Sequence, residues 1–121
     1  MRFLALLSLL FLSACSDDSY HYYYSCLGDK ILAPSGPKKN IKDKFHLYDK
    51  KLRTYNNADT LFLESYKNGF WTFIGSQGGG LKREVVIDKY TNEIVDSTFR
   101  NDDAFIKYVY KCSVEKTLFA K

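Results

Sequence analysis

Leu61-Phe62-Leu63-Glu64-Ser65-Tyr66-Lys67-Asn68-Gly69-Phe70-Trp71-Thr72-Phe73-Ile74 is the stretch on which the fold turns. Two apolar and aromatic runs, Leu61 to Lys67 and Phe70 to Ile74, flank Asn68-Gly69. Asn-Gly suits the two-residue type I′ turn, in which both central residues need positive φ. The stretch therefore predicts a β-hairpin with Asn68-Gly69 at its tip. Counting outward from the tip places Tyr66 opposite Trp71, Ser65 opposite Thr72 and Leu63 opposite Ile74.

Toward the C-terminus, Gly78-Gly79-Gly80 reads as a flexible loop. A strand over Arg83 to Tyr90 follows, centred on Val85, Val86 and Ile87. Thr91-Asn92 reads as a turn, Glu93 to Phe99 as the returning strand, and Arg100 to Asp103 as a polar connection. Phe105 to Cys112 is the last predicted strand, with Ile106, Tyr108, Tyr110 and Cys112 on one side. The tail from Ser113 is expected to fray or to add one helical turn.

Toward the N-terminus, residues 21–27 read as the first strand. Tyr22, Tyr24 and Cys26 share one side, and His21, Tyr23 and Ser25 the other. This aromatic stripe reads as a sheet face, with a membrane interface or a ligand grip as alternatives. Pro34-Ser35-Gly36-Pro37 reads as a turn or loop. Lys38, Lys39, Lys42 and Lys44 form a basic cluster in what reads as a solvated loop. Contact with anionic headgroups or an acidic partner is the sharper alternative for it. Phe45 to Leu47 and Leu52 to Tyr55 alternate, and Asp49-Lys50-Lys51 is either a tight turn between them or part of one long strand. Residues beyond the N-terminal segment show no long apolar period of 3.6. The expected fold is all-β, a small antiparallel sandwich or partly closed barrel of six or seven strands.

The chain has 121 residues, enough for one domain. Its start differs in kind from the rest: Arg2, then an apolar run from Phe3 to Leu12 broken only by Ser8, then the small residues Ser13 and Ala14. That is the order of a secretory signal peptide. The run is too short to cross a hydrocarbon core, which needs roughly 20 residues. Residues 1–14 are therefore set apart from the fold, leaving 15–20 as a tether, 21–113 as the β domain and 114–121 as the tail.

Leu12-Ser13-Ala14-Cys15 resembles the lipobox of bacterial lipoproteins, a Leu and two small residues before a Cys. The resemblance implies that the Cys15 thiol is alkylated by diacylglycerol, that the preceding peptide is removed, and that the new amino terminus is acylated, as with palmitate. Anchoring by two or three chains is firm, since each buried methylene contributes about 0.8 kcal/mol. In Gram-negative lipoproteins an Asp directly after the Cys tends to retain the protein in the inner membrane. Here Ser16 follows Cys15, and Asp17 and Asp18 come later. The resemblance thus implies the outer membrane, facing the periplasm.

Without Arg2 the chain keeps 17 Lys and Arg against 14 Asp and Glu, a mild excess interleaved along the sequence. Export argues against nucleic acid as a partner. With Cys15 lipidated, Cys26 and Cys112 are an even pair in an oxidising compartment, and a structural disulfide is expected. Such a bridge brings the first and last strands together, with Tyr22, Tyr24, Tyr108 and Tyr110 beside it.

Catalytic chemistry is not written in the sequence. His21 and His46 are the only histidines, and neither stands near a nucleophile motif. Gly75 to Gly80 has superficial P-loop spacing, but Leu81 occupies the lysine position. The cysteines are committed elsewhere, so no metal or cofactor site is expected. Asp102-Asp103 reads as a surface loop rather than a carboxylate pair.

Tyr24-Ser25-Cys26 near the start, Cys112 near the end and the aromatic Tyr66-to-Trp71 hairpin resemble the outline of membrane-bound C-type lysozyme inhibitors. The Ser-Gly-Ala loop that those inhibitors insert into the lysozyme cleft is missing, so no binding residue carries over. The expectation is a membrane-anchored periplasmic lipoprotein acting as a protein-binding or inhibitory module. A structural or accessory envelope lipoprotein is the alternative, and an enzyme is not expected.

Overall fold

The computed structural model describes residues 20–55 and 59–118. Its elements are β1 (Tyr20–Leu32), β2 (Lys38–Tyr48), β3 (Lys51–Thr54), β4 (Thr60–Lys67), β5 (Phe70–Gly78), β6 (Leu81–Asp88), β7 (Glu93–Arg100) and β8 (Asp103–Leu118). Each strand pairs antiparallel with the next, and β8 returns to pair with β1. The sheet is a closed eight-stranded up-and-down barrel, all-β as expected. The strand count among the described residues is eight rather than six or seven. Closure leaves no open edge, so every strand finds a ladder on both sides.

Four connections are two-residue turns with positive φ at both central positions: Asp49-Lys50, Asn68-Gly69, Gly79-Gly80 and Asn101-Asp102. This backbone twist matches that of the flanking strands. Asp49-Lys50 is therefore a tight turn, and β2 and β3 are separate strands.

Alternation sends one face of every strand inward. Tyr110, Phe45, Phe73, Leu52, Leu61, Ile87, Ile94 and Val85 are the largest fully buried side chains. Each contributes roughly 1.5–3 kcal/mol by leaving water. Gly28 makes room for this core, because a Cβ there would sit 2.0 Å from the Val109 carbonyl oxygen and 2.8 Å from the Tyr110 ring. Cys26 lies directly opposite Cys112 in the β1–β8 ladder, with Cα atoms 4.1 Å apart and sulfur atoms at bonding distance, 2.01 Å. The direct pairing of first and last strands is what closes the barrel.

Three expectations need correction. From Ser113 to Leu118 the chain is neither frayed nor helical: β8 continues to Leu118, and Lys116 pairs with Tyr22 of β1, while residues 119–121 lie outside the described residues. The lysine cluster Lys38 to Lys44 lies in β2 rather than a loop, its amines on the solvent side around buried Asp43. The hairpin register holds for Tyr66 opposite Trp71 and Ser65 opposite Thr72, but Leu63 faces Phe73, and Phe62 takes Ile74. A β-bulge at Glu64 causes the slip. Strict alternation from the tip would turn Glu64 into the core and Leu61 and Leu63 out of it; the extra residue reverses that.

Candidate functional site

The up-and-down topology puts the start of β1 and the turns after β2, β4 and β6 at one end of the barrel. The turns after β1, β3, β5 and β7 lie at the other. The first end is the aromatic one. Its mouth is a cavity of about 330 Å³ lined by Tyr20, Tyr22, Tyr48, Tyr66 and Trp71, with Phe73 below. Trp71 meets the Tyr22 ring edge-on at 6.0 Å and the Tyr66 ring at 5.7 Å. The floor is held by the core, since Trp71 and Tyr22 pack against its buried cluster.

Lysines stand over these rings. The Lys89 ammonium lies 5.6 Å from the Tyr66 centroid and 5.9 Å from that of Trp71. That of Lys116 lies 4.1 Å from Tyr20 and 5.6 Å from Tyr22. Both are within cation–π range. Lys50 and Asp49 complete the lining from the β2–β3 turn. Two hairpin tips are tied at the rim, where the Lys89 N–H donates to the Gly69 carbonyl at 2.8 Å. A Cβ on Gly69 would meet the Tyr90 ring at 2.2 Å, and the Gly69 φ is +84°. Glycine there serves both the turn and the seating of Tyr90.

Compared with known proteins, the chain matches no family model, no curated protein and no solved structure.

The opposite end is polar. Buried Arg83 donates from Nε to Asp96 Oδ1 at 2.9 Å, from Nη2 to Asp96 Oδ2 at 2.5 Å, and from Nη1 to Asp59 Oδ2 at 2.8 Å. Nη1 also donates to Thr54 Oγ1 at 3.2 Å. Burial works against the guanidinium charge, and hydrogen bonding and attraction from Asp96 and then Asp59 outweigh it, holding its pKa above the ordinary value. Gly75 sits opposite Arg83 in the ladder, and a Cβ there would press on the Leu61 side chain at 3.2 Å. These groups rim a cavity of about 590 Å³, where Arg83 makes four hydrogen bonds. Among the described residues, no buried side-chain nitrogen or oxygen lacks a partner. The four bonds clamp β3, β6 and β7 together.

On the outer wall, His21 Nδ1 lies 2.7 Å from His46 Nε2, so one ring donates and the other accepts. Tyr23, His46, His21 and Tyr48 form a continuous stack with centroid spacings of 4.4, 4.9 and 3.8 Å. Burial lowers the His46 pKa below its ordinary value, and nearby His21 and Arg53 lower it further. Sequence reading treated the two histidines separately; their meeting depends on the β1–β2 register, which residue spacing does not reveal. Among the described residues, no group of three or more His, Cys, Asp or Glu is placed to hold a metal.

Of the residues singled out in the sequence, Cys26 and Cys112 are brought together, and Cys15 lies outside the described residues. The Tyr22 side of the aromatic stripe becomes part of the mouth. Lys50, Lys89 and Lys116 were missed, because each is an ordinary surface lysine until the strands bring Lys50 to the lining and set Lys89 and Lys116 over rings.

Proposed function

We propose that this chain is a membrane-anchored lipoprotein, held in the outer membrane through Cys15 and facing the periplasm, that acts as a binding or inhibitory module. Its recognition surface is the aromatic mouth, and it works by binding rather than by catalysis. The observation that carries this reading is the mouth itself. A cavity of about 330 Å³, floored by Trp71 and Tyr22 and lined by exposed Tyr48 and Tyr66, with exposed Phe70 and Tyr90 on the adjoining hairpin turns, is the kind of surface that anchors ligands. The disulfide and barrel closure hold it preformed, so little ordering entropy opposes binding.

The Arg83 clamp supports the same reading from the other side. Its carboxylates are engaged with the guanidinium, whereas acid–base work needs groups free to exchange protons with a substrate.

Site-directed photo-crosslinking in intact bacteria tests the proposal. A photoreactive phenylalanine at Tyr66 or Tyr90 is expected to trap an envelope component, and the same probe at Phe62 on the outer wall is not. Loss of the adduct in Cys15→Ala, with intact mass showing acylation of the parent, ties binding to the anchor. Identical adducts at all three positions, or none, contradict the mouth as the recognition surface.

A further inference from the structure

We infer that the mouth docks onto the anionic phospholipid headgroups of the membrane to which the chain is anchored. The inference rests on the mouth being the recognition surface and names its ligand.

Reach is the first argument. Tyr20, where β1 begins at the mouth, comes five residue steps after Cys15. An extended chain covers about 3.3–3.6 Å per residue, so a lipid on Cys15 keeps the mouth within about 17 Å of the bilayer surface. The opposite end is removed by the height of the barrel. Thirteen residues of β1, tilted as barrel strands are, put it roughly 30 Å further away.

Charge is the second. Lys50, Lys89 and Lys116 surround the opening, against Asp49 as the acid in its lining. The rings beneath Lys89 and Lys116 hold those ammonium groups at the mouth. Phosphate is the complementary charge, and a cation held over a ring keeps its outer face available to it.

Composition is the third. Exposed Tyr48, Tyr66, Phe70 and Tyr90 gather at this end, and their mixture of apolar ring and polar edge with lysine suits the headgroup layer. The fourth is backbone strain. Lys50 holds φ +61° at the second position of a type I′ turn, where glycine sits without penalty. The turn thus carries a positive charge at the lining of the mouth.

Trp71 is the single tryptophan and lies in the floor, so its emission reports on the mouth directly. The full-length chain is produced in bacteria and purified as processed, with intact mass reading the anchor separately. It is then presented to phosphatidylglycerol vesicles and, in parallel, to phosphatidylcholine vesicles. On phosphatidylglycerol, Trp71 emission is expected to shift to the blue and its quenching by acrylamide to fall at least twofold. High salt should reverse both effects, and phosphatidylcholine should give neither. Lys89→Gln and Lys116→Gln should each weaken the phosphatidylglycerol response about fivefold. Lys50→Gly should weaken it similarly while leaving the barrel folded by circular dichroism. The double variant Lys38→Gln/Lys39→Gln, which removes charge at the far end, should leave it unchanged. An equal response to both lipids, the same shift with inorganic phosphate alone, or a dependence on Lys38 and Lys39 rather than on the mouth lysines overturns the inference. A silent Trp71 together with protein adducts at Tyr66 overturns the lipid ligand and keeps the mouth. A silent Trp71 with no adducts removes both.

Discussion

Arg83 shows how one residue is forced on a small barrel and then made tolerable. It occupies an inward position between Thr98 and Gly75 in the ladders, where its neighbours in sequence alternation are Val85 and Ile87. A charge there survives because Asp96 meets it in two parallel hydrogen bonds and Asp59 in a third. Replacing only the arginine strands the Asp96 carboxylate. Arg83→Met is therefore expected to destabilise the fold by about 3–5 kcal/mol, and Arg83→Met/Asp96→Leu to recover most of that loss. Denaturant unfolding measures both; a double variant as unstable as the single one contradicts the clamp. His46 makes a prediction of opposite chemistry. Its pKa lies below the ordinary 6.5 in the folded state, chiefly through burial. As pH falls through that ordinary value, the unfolded chain takes up a proton that the folded chain resists. Stability should be level above about pH 7 and fall between there and the depressed folded value. In His46→Gln that part of the slope should disappear, and thermal unfolding across the range reads it.

Elements were legible where local chemistry speaks alone. Asn68-Gly69 fixed a hairpin tip because few other pairs accept positive φ at both positions, and Val85 to Ile87 could only be strand. Asp49-Lys50 and Asn101-Asp102 form the same kind of turn but carry weaker preferences, so the first stayed ambiguous and the second read as a loose connection. The Glu64 bulge was hidden for a different reason. It has no residue signature of its own; its trace is a parity conflict between Tyr66 at the tip and Leu61 and Leu63 behind it. Because Glu64 is the unpaired residue, deleting it restores plain alternation with Leu61 and Leu63 still inside. The deletion is expected to keep a cooperative fold. Deleting Thr72, which pairs with Ser65 on one side and Val86 on the other, should abolish it. A far-UV spectrum and melting curve for each variant decide the matter, and the reverse ranking would show that Glu64 is not the bulge.

At the level of the whole molecule, the sequence announced the staple before the architecture. Cys26 and Cys112 pointed to one another, and with them β1 to β8; that those strands also complete a circle follows from ladders no single segment contains. The bridge closes a loop across a separation of 86 residues. The chain-entropy model gives roughly 4.6 kcal/mol for such a loop as an upper figure. Reduction, or Cys26→Ala/Cys112→Ala, should lower the melting temperature substantially, and an unchanged melt would mean the ladders close the barrel unaided. The aromatic mouth was the least legible feature, since Tyr20, Tyr48, Trp71, Lys89 and Lys116 come from five strands or turns and converge only on closure. Its role is also the most directly measurable. Residue-resolved modification of tyrosines on the anchored protein in intact membranes compares Tyr66 and Tyr90 at the mouth with Tyr55 at the far end, 49%, 77% and 56% exposed in the isolated chain. A mouth at work against the membrane should leave Tyr66 and Tyr90 protected and Tyr55 modified at its solution rate. Equal modification of all three, unchanged when the protein is released from the membrane, would contradict it.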